Sequence, residues 1–196
     1  VSGLGTEYFA AHQIGLNISG LSFSPSQAFS VASTALVGQN LGANNPERAK
    51  KSANVVHHMA LVVAVLMGIV YILFSNPMAR IYNDDAQVVS LAGLVLKILA
   101  LALPGQSTQL ALSGALRGAG DTMYPLYASA FGIWFFRVIV AYLFVNVFHW
   151  GLVGAWIALV LDQTVRAVII YARYRSDKWL EAKSKYQNND FANIEM

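Results

Sequence analysis

Long apolar stretches separated by short polar loops dominate this chain. Four of them, at 55–74, 86–104, 125–148 and 153–171, reach or approach the roughly 20 apolar residues that a helix needs to cross a bilayer. A fifth, longer stretch at 8–41 is apolar but interrupted by polar side chains. The pattern predicts an all-α integral membrane protein with about five to six transmembrane helices.

The first stretch differs from the others in length and polarity. At 1.5 Å of rise per residue it is too long for one straight crossing, and Gly20 and Pro25 predict a break inside it. At a helical period one side carries mostly polar or small residues, namely Gln13, Asn17, Gly20, Ser24, Gln27, Val31, Thr34 and Gly38. Such a face contacts protein or water instead of lipid. It is either a cavity wall or a small-residue packing face; the cavity-lining candidates on it are Gln13, Asn17, Gln27 and Thr34.

Composition supports the membrane assignment and narrows the chemistry. Of 196 residues, 56% are hydrophobic and only 12% charged, against about 25% charged in soluble domains. The isoelectric point of about 9.2 does not indicate nucleic-acid binding, because the charges lie at the ends of the apolar stretches. Without cysteine there is no disulfide or thiolate metal site. No Ser-His-Asp set, carboxylate pair or metal-ligand spacing is present, so neither an enzyme nor a metal site is predicted.

The loops alternate in their content of lysine and arginine. Basic residues concentrate in the loop at 44–52, at Arg117 before the loop at 118–122, and in the tail after residue 171. Cytoplasmic loops carry this excess, so these three regions are predicted inside and the remaining loops outside. We therefore expect a multi-pass plasma (cytoplasmic) membrane protein with a cytoplasmic C-terminus and a polar cytoplasmic tail at 175–196.

Four ionisable residues fall within the predicted spans: Lys97, Arg137, Asp162 and Arg166. Charge at this depth is costly and indicates a paired or functional site. Asp162 and Arg166 are four residues apart on one helix and can pair directly. Arg137 is predicted beside Asp162 across the hairpin at 149–151. The network either only locks neighbouring helices or acts as a proton- or conformation-linked switch. Lys97 either extends towards the interface or meets a carboxylate outside this chain.

A glycine-rich motif occupies 114–122. Gly114 and Gly118 have the spacing that permits close approach of two membrane helices. The motif is not a phosphate loop, because no strand precedes it and no Lys-Ser/Thr follows it. Two further polar side chains, Gln106 and Gln109, precede it at helical spacing.

Several short motifs together resemble the C-terminal lobe of the multidrug and toxic compound extrusion (MATE) family. They lie at 10–14, 37–43, 46–49, 114–122 and 151–156, with Trp134, Arg137, Asp162, Arg166, Lys178 and Trp179 in the expected order. The resemblance extends from about residue 3 to 180. The motif positions with a structural role in it are Gly38, Gly42, Gly114, Arg117, Gly118 and Asp121.

The resemblance implies a fold of two six-helix lobes around a central cavity. Residues 1–174 would form the C-terminal lobe, comprising the end of the seventh helix and helices eight to twelve. Those five helices are expected at 8–41, 49–74, 86–117, 123–148 and 152–174. The N-terminal lobe is then expected to be missing from this chain and to be its partner.

The resemblance also implies a function, namely export of organic, often cationic, drugs or metabolites in exchange for H⁺ or Na⁺. The implied partners are the lipid bilayer and a small-molecule substrate, with no nucleic acid and no cofactor beyond the coupling ion. One branch of the family has an acidic residue where this chain has Gln106, so the coupling site is expected in the missing N-terminal lobe. Gln106 and Gln109 would instead bind substrate. The alternatives are a lipid-linked precursor flippase of the same superfamily and a non-transporting membrane scaffold fragment.

Overall fold

The chain folds into long helices, and no strand occurs among the residues that the structure describes. The computed structural model describes residues 5–147 and 150–181, without the side chains of Phe136, Arg137, Asn146 and Glu181. The all-α prediction is confirmed. The helices are α1 (Thr6–Gly42), α2 (Pro46–Leu73), the short α3 (Ser75–Arg80), α4 (Ala86–Gly118), α5 (Met123–Phe131) and α6 (Gly151–Arg175).

Helix ends follow local side-chain chemistry. Asn45 caps α2 by accepting a hydrogen bond from the Arg48 N–H at 3.0 Å, and Pro46 occupies the first turn, where a proline costs no hydrogen bond. Asp85 caps α4 by accepting from the Gln87 and Val88 N–H groups. After α5 the chain continues with π-helical hydrogen bonding over Gly132–Val140 and Leu143–Val147, which places one extra residue in each turn.

The predicted break in α1 is wrong, because the helix runs without interruption through Gly20 and Pro25. Proline leaves a carbonyl of the preceding turn without its donor, and membrane helices tolerate this where serine or threonine hydroxyls supply donors. The serine hydroxyls next to Pro25 bond to carbonyls that precede it, but none of them bonds to the Leu21 carbonyl, whose usual donor the proline removes. Ser22 Oγ donates to the Ser19 carbonyl at 2.8 Å and Ser26 Oγ to the Ser22 carbonyl at 3.1 Å.

Helix α4 lies at the centre of the bundle and packs against α1, α2, α3 and α6. One apolar core fills the half of the bundle nearest the start of α4, around Ile18, Tyr71, Leu96 and Trp156. A second core fills the other half, around Val37, Leu116, Ile170 and Trp179. Helix α5 and its π-helical continuation lie on the outside and pack against α6.

Four helices in the described part of the chain are long and apolar enough to cross a membrane: Pro46–Leu73, Ala86–Gly118, Met123–Val145 and Gly151–Arg175. Helix α1 is longer than any of them, at 37 residues, but its serines, glutamines and asparagine lower its hydropathy. Its crossing of the membrane therefore stays a prediction.

Candidate functional site

Helix α1 presents an open polar face on one side and a buried serine face on the other. Gln13, Asn17, Ser24 and Gln27 are exposed, with no other described helix covering them. The opposite side buries Ser22, Ser26, Ser30 and Ser33 against the rest of the bundle. A membrane helix with uncharged hydrogen-bonding groups on an open face requires water, solute or another protein surface on that side.

Thr34 belongs to a helix crossing and not to the open face. Its Oγ1 lies 2.9 Å from two carbonyl oxygens, that of Ser30 on its own helix and that of Gly114 on α4, and its single proton is shared between them. Ser30 Oγ donates to the Leu110 carbonyl at 2.8 Å, so two α1 hydroxyls reach backbone oxygens of α4. Arg117 adds a third link, because its guanidinium donates to Ser30 Oγ at 2.8 Å.

Glycine makes this crossing possible. A Cβ at Gly114 would overlap the Ser30 carbonyl, and a Cβ at Gly118 would overlap the Thr34 carbonyl. Gly38 faces the Gly118 carbonyl, 3.3 Å from where its own Cβ would lie. The predicted close approach at Gly114 and Gly118 is therefore confirmed, with α1 as the partner helix; Gly42 lies further on, at the exposed last residue of α1.

Gln106 and Gln109 lie on α4 but not on an open face. Gln106 is 6% exposed and Gln109 is 8% exposed within this bundle. Nearby on α4, Gly105 packs against the backbone of α6 at Gln163 and Thr164. Both side chains are enclosed by their own lobe and are separated from the polar face of α1.

The structure places a buried ion pair inside α6. Asp162 is 1% exposed, and the Arg166 guanidinium donates to its Oδ2 and, at 3.4 Å, to Oε1 of Gln163. Gly132, at the start of the π-helical segment, lies against both charged side chains, since a Cβ there would overlap Asp162 Oδ1 and the Arg166 side chain. The predicted pairing of Asp162 with Arg166 is confirmed, whereas the Arg137 side chain lies outside the described residues.

Lys97 stands apart from this pair. It is exposed on α4 between Leu94 and Leu101, two further exposed residues of the same helix face. No described carboxylate lies within ion-pair distance of its ammonium group. The structure therefore separates Lys97 from the intramembrane charges with which the sequence groups it.

A second ion pair was not predicted from the sequence. Arg173, near the end of α6, donates through Nε to Asp121 Oδ2 at 2.7 Å, and its guanidinium lies 4.0 Å from the centre of the Tyr124 ring. Asp121 is 8% exposed. The pair fixes the α4–α5 loop to α6. The sequence indicates Asp121 only as a motif residue and Arg173 only as part of a basic tail, because the two are 52 residues apart.

Known proteins resemble both the sequence and the fold. A family model described as MatE matches residues 1–143. The chain is 35% identical over 175 residues to "Probable multidrug resistance protein NorM" of Thermotoga maritima, covering 89% of this chain and 38% of that protein. It is 32% identical over 188 residues to "Multidrug resistance protein MdtK" of Proteus mirabilis, covering 94% of this chain and 40% of that protein. It thus spans about two fifths of the length of these relatives.

Solved structures show the same fold. The chain superposes with a TM-score of 0.82 on "Crystal structure of MATE in the bent conformation", at 23% identity, covering 87% of this chain and 38% of that one. The TM-score is also 0.82 against "Crystal structure of eukaryotic MATE transporter AtDTX14", at 19% identity, covering 91% of this chain and 41% of that one. The family model, the relatives and the fold agree, and this chain belongs to the MATE family.

Proposed function

We propose that this chain is one lobe of a membrane antiporter that exports organic, often cationic, compounds in exchange for H⁺ or Na⁺. The observation that carries the proposal is the open face of α1, where Gln13, Asn17 and Gln27 are exposed. It has this meaning because the chain belongs to the MATE family. The relatives' names, which describe multidrug resistance proteins, support drug extrusion over the flippase and scaffold alternatives.

The chemistry of this face suits varied organic solutes. Glutamine and asparagine side chains donate and accept hydrogen bonds without carrying charge. Exposed Phe9, Phe23 and Val31 lie on the same side of the helix and supply apolar contact. Alternating access in secondary transporters comes from one lobe rocking against the other around a shared cavity. In this proposal the other lobe supplies the facing wall of the cavity. The protein lies in the plasma membrane, with its C-terminus on the cytoplasmic side.

The coupling ion is proposed to bind outside the described residues. Asp162 is the one carboxylate deep within a described membrane span, and Arg166 already neutralises its charge. Gln106 and Gln109 are neutral and lack the carboxylate that would hold a cation. If instead position 106 lies on the ion path, Gln106→Glu in the full-length protein will change the dependence of export on Na⁺ and pH; unchanged profiles support a coupling site elsewhere.

Ethidium accumulation in efflux-deficient cells that express the full-length protein tests the function. We expect lower accumulation than in cells without it, and we expect loss of this effect when the driving ion gradient is collapsed. Asn17→Leu and Gln27→Leu should raise accumulation, whereas Gln87→Leu, an exposed glutamine away from the polar face, should not. Unchanged accumulation with the protein present in the membrane would contradict drug export and favour a narrow metabolite exporter or the flippase.

A further inference from the structure

Two exposed cationic side chains, Arg48 and Lys51, lie at one end of an apolar cleft between α1 and α2. The cleft has a volume of about 460 Å³ and is lined by Leu36, Arg48, Lys51, Ser52, Val55, Val56 and Met59. We call it the Lys51 cleft. Arg48 and Lys51 lie three residues apart, on one side of α2, and Val55 and Met59 continue the same side towards the middle of the helix.

These two cations differ from their neighbours in having no internal counter-charge. Lys50 pairs with Asp177 at 2.6 Å, and Arg173 pairs with Asp121 at 2.7 Å. Among the described residues no carboxylate lies within ion-pair distance of Arg48 or Lys51. Glu47 lines a neighbouring cleft that shares Lys51, Val55 and Met59 with this one, and its carboxylate is not within ion-pair distance of Lys51. Two positive charges are therefore presented together without an ion-pair partner among the described residues.

The position of the pair corresponds to the headgroup level of a bilayer. Below Lys51 the same side of α2 is an unbroken exposed apolar stripe, made of Val55, Met59, Val62, Leu66, Ile69 and Leu73. From Lys51 to Leu73 the helix rises roughly 33 Å, close to the roughly 30 Å of a hydrocarbon core. Arg48 and Lys51 thus lie where the phosphates of one leaflet lie, and the cleft beneath them lies where acyl chains begin.

We propose that the Lys51 cleft binds an anionic phospholipid of that leaflet. Its phosphodiester accepts hydrogen bonds from the Arg48 guanidinium and the Lys51 ammonium, and Ser52 supplies a further donor beside them. The first part of an acyl chain occupies the apolar cleft along Val55 and Met59. Charge and cleft together distinguish this occupant from a zwitterionic lipid, which brings its own cation, and from a soluble anion, which has no acyl chain.

Native mass spectrometry of the full-length protein, with phosphatidylglycerol titrated into detergent solution, tests the charged part of the site. At about 1 kcal/mol for each cation at a membrane surface, the double change Arg48→Gln and Lys51→Gln should weaken lipid binding about 30-fold. The matched control is Arg175→Gln with Lys178→Gln, which removes the same charge from exposed residues at the same end of the bundle. An equal loss in both variants, or no loss in the first, would overturn the proposal.

Filling the cleft tests its apolar part without changing charge. Met59→Trp should weaken phosphatidylglycerol binding, whereas Leu66→Trp, further along the same exposed stripe, should leave it unchanged. Glycerophosphoglycerol, the headgroup without acyl chains, should fail to compete. Competition by it would indicate a site for a soluble phosphodiester. Protection of residue 51 from labelling in lipid-free full-length protein would indicate that a protein segment covers the cleft. Either result rejects the lipid. None of these measurements depends on what the protein transports.

Discussion

At two helix contacts in this bundle, a polar group packs directly against a glycine. In one contact the polar group is a backbone carbonyl, and in the other it is a charged side chain. At the α1–α4 crossing, Gly114 and Gly118 admit backbone carbonyls of α1, with Ser30 and Thr34 hydroxyls bonded nearby. Where the π-helical continuation of α5 meets α6, the side chains of Asp162 and Arg166 pack against Gly132. The first contact is neutral and its parts are fixed by helix backbones. The second depends on an ion pair whose side chains can shift.

The comparison predicts that removing charge costs more than adding volume. Asp162→Asn keeps the shape of the side chain but leaves the Arg166 charge buried without its partner. Breaking a buried ion pair in this way costs about 3–5 kcal/mol. Denaturant unfolding of the purified full-length protein should show this loss, and Asp84→Asn, at an exposed loop position, should not. Asp162→Leu combined with Arg166→Met should recover most of the stability. Wild-type stability in Asp162→Asn would show that the ion pair does not stabilise the lobe.

The next largest effect is expected at the neutral crossing. Gly114→Val places a branched side chain against the Ser30 carbonyl, and because a helix backbone cannot move aside locally, the two helices must separate. Overpacking of this kind costs about 3 kcal/mol. Gly20→Val is the matched control, since a Cβ at Gly20 meets nothing within 4 Å. Equal thermal stability of the two purified variants would show that the close approach is not required.

A smaller loss is expected from the same kind of change at the charged contact. Gly132→Ala adds one methyl group against Asp162 and Arg166, whose side chains can shift, so we expect a loss of about 1 kcal/mol. Gly105→Ala serves as control, because its Cβ would lie 3.4 Å from the Gln163 carbonyl, an ordinary contact distance. Should Gly132→Ala destabilise the protein as much as Gly114→Val, the distinction between backbone and side-chain neighbours would fail.

The smallest effect is expected from a single hydroxyl. Thr34→Val keeps the shape but removes the donor to the Gly114 carbonyl, which should cost about 0.5 kcal/mol. Thr164→Val removes a hydroxyl that bonds only to the Val160 carbonyl of its own helix and is exposed, so it should change stability less. A larger loss at Thr164 in the same unfolding assay would contradict a role for Thr34 between helices.

Patterns along the chain predicted the features that depend on local sequence. Apolar length predicted the membrane helices, the four-residue spacing predicted the Asp162–Arg166 pair, and the spacing of Gly114 and Gly118 predicted a close crossing. Features that depend on partners distant in sequence were not predictable in this way. The Asp121–Arg173 pair joins residues 52 positions apart, and nothing in the local pattern around either one indicates the other.

The predictions for Thr34, Gln106 and Gln109 rest on one signal. Polarity identified Thr34, Gln106 and Gln109 as cavity residues together with Gln13, because all are polar side chains in apolar helices. The structure buries Gln106 and Gln109 inside the lobe and places Thr34 at a crossing. Polarity alone does not show which side of a helix its neighbours cover. Pro25 predicted a break because a proline lacks the N–H of one helical hydrogen bond, yet α1 continues through it as one helix.

The α1–α4 crossing also constrains how the lobe can move. Hydroxyls of one helix bond to carbonyls of the other, and glycine leaves neither helix room to slide without losing these bonds. We therefore expect α1 and α4 to tilt together as one rigid body. The polar face of α1 then changes its orientation only when both helices move. In the full-length protein, spin labels at the exposed positions Val31 and Leu101 should then keep a constant separation throughout the proposed transport cycle.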